Sequence, residues 1–381
     1  MGSKSKLIDF VLEGINSCNP QNGVVDLFAG SCTLAGAIGN QTVIHSNDIQ
    51  NYSKVLAETY TISYCNNIRI HADEIISKAK VHQIKLMREA DIKVDYSRKY
   101  SVEDLANFEK LQQNLLQKTF EVDFHYFTKT YSGTWWSVEQ CAAIDGLRKT
   151  AEEFKESPMF QPILAAAMYA MAYSSIGTGH YAQFRDPKTD SNVKDILIYR
   201  QKDTFKIFKR KFSELIQWLP KRKSKYEHIN TALDFKECLN IAKEGSVIYA
   251  DPPYAFVHYS RFYHALETFV LYDSPSLQIK NNGELVKGRY RSERHQSPFC
   301  IKTKVESAFT DFFDIAKSKD MKIALSYSNK GMISLDEILQ LANEKFTNSK
   351  IDVHSTDYNH MTLGRQFDQT RKVKEALILI N

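Results

Sequence analysis

Pro252 and Pro253 constrain this chain more than any other pair of residues. Neither can donate to a sheet ladder, so a strand that reaches them must end there. Just upstream, Gly245-Ser246-Val247-Ile248-Tyr249-Ala250 is a short apolar run behind a glycine, the pattern of a buried strand. Asp251-Pro252-Pro253-Tyr254 therefore falls at a strand end. The fixed φ angles present one carboxylate, one carbonyl and one aromatic ring from a stiff loop. Such a set can hold a planar amine, with Asp251 and the Pro252 carbonyl accepting its hydrogens and Tyr254 covering the adjoining ring. The same tetrapeptide can be an ordinary turn, so its weight depends on the rest of the chain.

A second segment adds that weight. Val24-Val25-Asp26-Leu27-Phe28-Ala29-Gly30-Ser31-Cys32-Thr33-Leu34-Ala35-Gly36 reads as a strand, a small-residue turn and a helix start. Gly30 lets backbone approach a ligand closely, and the helix N-terminus favours negative charge. Val43-Ile44-His45-Ser46-Asn47-Asp48 reads as the next strand and ends in a carboxylate eighteen positions after Gly30. An acidic residue about 20 positions beyond a glycine turn suits a ribose hydroxyl. Ile68-Arg69-Ile70-His71-Ala72-Asp73 reads as a third strand, again closing on a carboxylate. Three successive strand ends carrying Gly30, Asp48 and Asp73 make a nucleoside-binding edge.

These strands, with 245–250 and Lys322 to Tyr327, alternate with helical stretches and predict a doubly wound parallel α/β sheet. Ile351 to His354 and Glu375 to Ile380 add a terminal strand pair. Between about 78 and 235 the pattern is helical instead. Ser137-Val138-Glu139-Gln140 has the form of a capping box, and Val102, Leu105, Phe108, Leu111 and Leu115 keep helical spacing. A length of 381 residues allows two or three domains. Six cysteines, Cys18, Cys32, Cys65, Cys141, Cys238 and Cys300, are scattered without metal or disulfide spacing and fit a reducing cytoplasm. Lys6 to Gly14 is too short and charged for a signal peptide, and the apolar run Ile163 to Ile176 reads as a buried core helix.

On these residues the chain resembles the S-adenosylmethionine-dependent DNA adenine methyltransferases, which act on the exocyclic N6 amine. That family carries a Phe-x-Gly-x-Gly cofactor motif ahead of an Asp-Pro-Pro-Tyr catalytic motif, with a DNA-recognition insert between them. Here Phe28-Ala29-Gly30-Ser31-Cys32 and Asp251-Pro252-Pro253-Tyr254 stand in that order. Gly2-Ser3-Lys4-Ser5-Lys6-Leu7-Ile8 resembles the N-terminal motif that lies against the methionine end of the cofactor, and Ile323 to Ser328 the strand that follows catalysis. Cys32 departs from the pattern by replacing the second glycine, and a β-carbon there would crowd a ligand on the turn.

The resemblance covers most of the chain and is weakest between about 75 and 130. It implies a Rossmann-like methyltransferase sheet with an antiparallel last strand, plus a mostly helical DNA-recognition insert. Residues 1–77 and 236–381 would form the catalytic domain and 78–235 the insert. S-adenosyl-L-methionine would be held by Lys4, Asp26, Phe28, Ala29, Gly30, Cys32, Thr33, Asp48, Ile49 and Asp73. Asp251, Pro252, Pro253 and Tyr254 would act on an adenine flipped out of the duplex. The implied partner is double-stranded DNA, met in the cytoplasm and nucleoid of a prokaryote or in phage infection. A restriction endonuclease of the same specificity would be a functional companion without physical contact. The protein itself would be a monomer or weak dimer, with neither metal nor membrane required.

Three surfaces suit DNA. Tyr199 to Lys225 holds ten cationic side chains, among them Lys209, Arg210 and Lys211, against two acidic ones. Such a run is often only a solvated face, but its one-sidedness suits phosphates. Gly288 to Gln296 places Arg289, Arg291 and Arg294 among polar residues, a composition suited to groove contacts. Gly177 to Arg185 mixes glycines with His180, Tyr181 and Arg185. After the proline pair, Tyr259 and Arg261 would line the cleft while Phe262, Leu266 and Phe269 pack a helix. Two alternatives share the motifs. RNA guanine-N2 methyltransferases are compact, whereas more than two hundred residues separate the motifs here. A non-catalytic DNA-binding protein on the same scaffold would draw support from Cys32. A glutamine-methylating enzyme would carry Asn in place of Asp251.

Overall fold

The computed structural model describes residues 7–39, 41–61, 70–177, 180–219, 224–253, 258–328, 331–361 and 370–381, with main chain alone at 356–361 and 370–375. In chain order the elements begin α1 (Ile8–Ser17), β1 (Val24–Asp26), α2 (Thr33–Ile38), β2 (Ile44–Asn47), α3 (Asn51–Thr61) and α4 (Ala72–Ala90). There follow α5 (Val102–Gln113), α6 (Tyr126–Tyr131), α7 (Val138–Glu152), α8 (Phe160–Ser174), α9 (Asp190–Arg200) and α10 (Thr204–Trp218). The chain then runs through β3 (Ile229–Thr231), α11 (Phe235–Ile241), β4 (Val247–Ala250) and α12 (Tyr259–Leu271). It ends with α13 (Val305–Ser318), β5 (Lys322–Ser328), α14 (Leu335–Lys345), β6 (Ile351–Met361) and β7 (Thr370–Ile380).

Two compact units result. The first comprises Met1–Ser63, Arg222–Ser260 and Arg294–Asn381, the second Tyr64–Lys221 and Arg261–Glu293. Among the described residues the first unit holds a seven-stranded sheet of order β3-β2-β1-β4-β5-β7-β6. Neighbours from β3 to β5 pair in parallel. β7 runs antiparallel to both β5 and β6. This is the expected methyltransferase sheet with its inserted antiparallel strand.

Period-two alternation explains how both faces are covered. Val25, Ile248, Ile323, Leu325, Ile378 and Ile380 share one core with Leu239 of α11, Phe309 and Phe313 of α13 and Ile338 of α14. The alternate residues of β7 point the other way. A β-carbon added to Gly14 of α1 would sit 2.3 Å from Leu377 and 3.3 Å from Leu379. Glycine is therefore what lets α1 lie directly on the second face.

The third strand is not where the sequence pattern puts it. Residues 68 and 69 lie outside the described residues, Ile70 and His71 are irregular, and Ala72 already begins α4. From Ala72 on, Ile75, Ile76, Ala79 and Leu86 of α4 are buried at helical spacing. Asp73 and Glu74 occupy its first turn, where the helix dipole favours carboxylates. The strand beside β2 is instead Ile229–Thr231, with His45 opposite Ile229.

The second unit is helical, as expected of the insert, and the Ser137 capping box on α7 is formed at both ends. Its centre is aromatic: Phe127, Tyr131, Trp135 and Trp136 are fully buried. A buried ion pair crosses it, with Arg200 donating from Nε and Nη2 to the two Glu109 oxygens at 3.0 and 2.7 Å. Residues 224–235, read from sequence as insert, belong to the sheet unit because β3 pairs there. Arg261–Glu293, read as catalytic domain, belongs to the helical unit. There Tyr272 donates its hydroxyl to the buried Asp145 carboxylate at 2.6 Å. Among the described residues no helix is long and apolar enough to cross a membrane.

Candidate active site at the ends of strands β1, β2 and β4

From β1 the chain steps outward to β2 on one side and, later, from β4 to β5 on the other. The crevice between β1 and β4 is thus the topological switch point, where open α/β sheets bind ligands at their carboxyl ends. Asp26 stands level with Ser46 of β2 and with Tyr249 of β4. The turn after β1, Asp48 after β2 and Asp251 after β4 therefore all leave the same edge of the sheet. Leu27 N–H donates to the Tyr249 carbonyl at 3.0 Å and Ala29 N–H to the Asn47 carbonyl at 2.8 Å, carrying the pairing into the turn.

Asp48 organises that turn. Its Oδ2 accepts from Gly30 N–H at 3.0 Å and its Oδ1 from Gln50 N–H at 3.0 Å. Ile49 beside it is 36 % exposed, an aliphatic side chain open to a flat ligand. Gly30 has φ +52, and a β-carbon added to it would meet nothing nearer than the Phe28 carbonyl at 3.9 Å. Gly30→Ala is expected to fold, at a cost of about 1–2 kcal/mol for left-handed backbone, yet to bind the expected cofactor more weakly because its methyl enters the open cradle. Thermal melting and calorimetric titration separate the two effects. Unchanged affinity would take Gly30 out of the cradle.

The site is acidic. Asp26 is 2 % exposed. Burial, then the charges of Asp251 and Asp48, push its carboxyl well above the usual carboxylate range. On the other side of the turn, Phe28 packs against Phe299 and Phe235, with ring centroids 5.4 and 6.5 Å away. Ser31 and Thr33 hydroxyls sit 3.0 Å apart at the start of α2.

Cys32 does not crowd the turn. It caps α2 in the left-handed conformation at φ 56, ψ 34. Its thiol is fully buried and donates to the Ser53 carbonyl of α3 at 3.2 Å. Burial above all pushes that thiol well above its ordinary pKa. A glycine at this position meets the backbone's need for positive φ at no cost, whereas cysteine accepts about 1–2 kcal/mol of strain while filling the space beneath the helix.

Asp251 and Pro253 are half-buried and Pro252 is buried. Tyr254 and Lys4 lie outside the described residues. Asp73 belongs to the second unit, where its exposed carboxylate accepts from Lys209 Nζ at 2.6 and 2.8 Å. No strand end presents it, which corrects the expected third carboxylate of the edge.

Of the residues assigned to DNA, two are withdrawn from solvent. Tyr181 is 3 % exposed, edge-on to Trp135 at 6.1 Å. Arg289 is 7 % exposed and donates to the Thr130 carbonyl and, at 3.3 Å, to that of Gln113. Both are structural, because their polar and aromatic groups are consumed inside the helical unit. Arg291 forks onto Asp273 at 2.7 and 2.5 Å, and Arg185 pairs with Asp195. His180 stacks on Phe262 at 4.3 Å. Arg261 donates to Tyr290 Oη at 3.1 Å and lies 5.1 Å above its ring. Arg294 is half-buried and Tyr259 36 % exposed. His264 is fully buried, with Nε2 3.1 Å from the Tyr181 carbonyl.

Sequence reading missed Asn47. Its Nδ2 donates to the carbonyls of Leu27 and Leu233 at 3.3 and 3.1 Å, and its Oδ1 accepts from Thr231 Oγ1 at 2.7 Å. From the end of β2 it ties the start of the turn after β1, on one side, to the end of β3 on the other. Its position just before Asp48 was the available signal.

A family model described as D12 class N6 adenine-specific DNA methyltransferase matches residues 1–140 and 197–323. Among curated proteins, the chain is similar to modification methylase LlaI of Lactococcus lactis subsp. lactis, 23 % identical over 402 aligned positions that cover 99 % of this chain and 54 % of that protein. It is similar to type II methyltransferase M.FokI of Planomicrobium okeanokoites, 24 % identical with 89 % and 45 % covered. Modification methylase StsI of Streptococcus sanguinis is 19 % identical, with 100 % and 51 % covered. The chain spans about half the length of these relatives.

Proposed function

The chain belongs to the D12 class N6 adenine-specific DNA methyltransferase family, and on that premise we propose that it transfers a methyl group from S-adenosylmethionine to N6 of an adenine within a specific DNA sequence. One observation carries the reading: the Gly30 turn, Asp48 and Asp251-Pro252-Pro253 leave neighbouring parallel strands at the switch point of the sheet. The residues present fit the cofactor. Gly30 leaves open space, and Asp48 offers carboxylate oxygens to a ribose.

When bound, S-adenosylmethionine supplies a methyl group already activated on sulfur. Asp251 and the Pro252 carbonyl accept the hydrogens of the adenine amine, aim its lone pair and stabilise the positive charge that develops on nitrogen. Tyr254 would cover the flipped base, with stacking worth about 1–3 kcal/mol. Asp48 and Gly30 hold the nucleoside end. The modification methylases among the relatives support a role in protecting DNA from an endonuclease of the same specificity. Transfer of labelled methyl to duplex DNA, with structured RNA in parallel, tests the reading; label in RNA guanine instead of DNA adenine overturns it.

Within the helical unit, Tyr169 and Tyr173 stack at 4.3 Å, and Tyr173 is 52 % exposed. Arg210 donates to Tyr169 Oη at 3.1 Å, and Lys211 Nζ lies 5.2 Å from the same ring. Cations arrayed around half-buried Tyr169, beside the exposed Tyr173 ring, suit phosphates and bases. Replacing Arg210 and Lys211 with glutamine is expected to weaken all duplexes alike. The salt slope of log K should fall by about 0.9 for each phosphate no longer neutralised. Binding to matched and singly mismatched duplexes at several salt concentrations checks this. An unchanged slope would leave these side chains as a solvated face.

A further inference from the structure

Pro252 and Pro253 leave the catalytic loop without two amide donors, so its shape depends on groups that reach its carbonyls. The Pro253 carbonyl accepts from the Cys300 thiol at 3.1 Å. Cys300 is 1 % exposed and ends the single 3₁₀ turn Pro298–Cys300, closed by its N–H to the Ser297 carbonyl at 3.0 Å. Phe299 in the same turn packs edge-on against Phe28 at 5.4 Å and Phe235 at 5.1 Å. One short turn of the first unit thus touches both loops of the site. A ring braces the cofactor turn and a hydrogen bond holds the catalytic loop.

A buried cysteine ordinarily serves as a small apolar filler with a weak donor. Here the donor is aimed at a main-chain oxygen of a loop whose two prolines supply no amide hydrogens of their own. We propose that Cys300 is a positioning residue for methyl transfer: its thiol fixes the Pro253 carbonyl, and with it the orientation in which the Pro252 carbonyl meets the amine. The Cys300 Sγ–H donor and the Phe299 ring act on different loops, so their loss has different consequences. The effect on rate rests on the methyltransferase reading; the effect on the order of the loop does not.

The test uses the full chain with Cys300→Ser, which keeps a donor, Cys300→Val, which keeps bulk without one, and Cys300→Ala. Melting curves establish that each variant is folded. Hydrogen exchange at Ala250, Asp251 and His258 reports the loop, and single-turnover transfer reports the chemistry. Small misplacements at a reacting centre are costly. The expected result is faster exchange and about tenfold slower transfer in the alanine and valine variants, with serine within about threefold of the parent and cofactor affinity unchanged in all. Phe299→Leu should instead raise the cofactor dissociation constant more than it lowers the rate. If serine and valine behave alike in exchange, Cys300 only fills space and the inference is overturned. If they differ in exchange while the parent transfers no methyl, the thiol's hold on the loop stands, and the methyltransferase reading falls together with the role in transfer.

Discussion

Replacing Asp251 with alanine is expected to slow methyl transfer about a hundredfold or more, the usual consequence of removing one preorganised group from a developing charge, while leaving cofactor binding largely intact. Asp251 follows the last residue of β4, so its carboxylate is presented by a strand that is buried throughout. The turn after β1 is held by Asp48, Asn47 and the main chain, which the substitution leaves in place. It also removes the larger of the two charges that raise the Asp26 carboxyl, so that group moves back toward the ordinary range. Single-turnover transfer and calorimetric titration with S-adenosylmethionine check both parts. Near-normal turnover in a folded Asp251→Ala protein would sink its assignment.

Asp48→Ala carries the second large effect, on binding. A hydrogen bond to a charged group contributes roughly 1.5–3 kcal/mol, so loss of the ribose contact alone raises the dissociation constant about ten- to a hundredfold. Its two oxygens also accept from Gly30 and Gln50, so the cradle itself loosens. Asp48→Asn, which retains one acceptor oxygen, should fall between parent and alanine. An unchanged dissociation constant in the folded alanine variant rejects the role.

What the sequence disclosed follows from where punctuation is chemical. Gly30 and the proline pair mark the ends of β1 and β4 because turn chemistry is local, and the site at the switch point could be read from them. β3 could not. It is three residues long, and Ile229 is 49 % exposed on an edge strand, so no apolar run announces it. Ala72 and Asp73 close a stronger strand pattern in the sequence but open α4, whose buried face begins at Ala72 and Ile75. Arg289 and Tyr181 look like free recognition side chains in sequence. Only packing reveals that one is spent on two carbonyls and the other in an aromatic core. Cys32 looked like a damaged cofactor motif until its left-handed backbone and inward thiol were seen. Cys300 lies 47 residues beyond Pro253 with no local pattern linking them.

Methyl transfer to one adenine of a specific DNA sequence is the central proposed event. Methylation-sensitive long-read sequencing of DNA from cells expressing the chain, beside cells expressing Asp251→Ala, tests it most directly. The predicted result is N6-methyladenine at every copy of a single short sequence with the parent protein and at none with the variant. DNA without N6-methyladenine in both, or equal methylation in both, would contradict it.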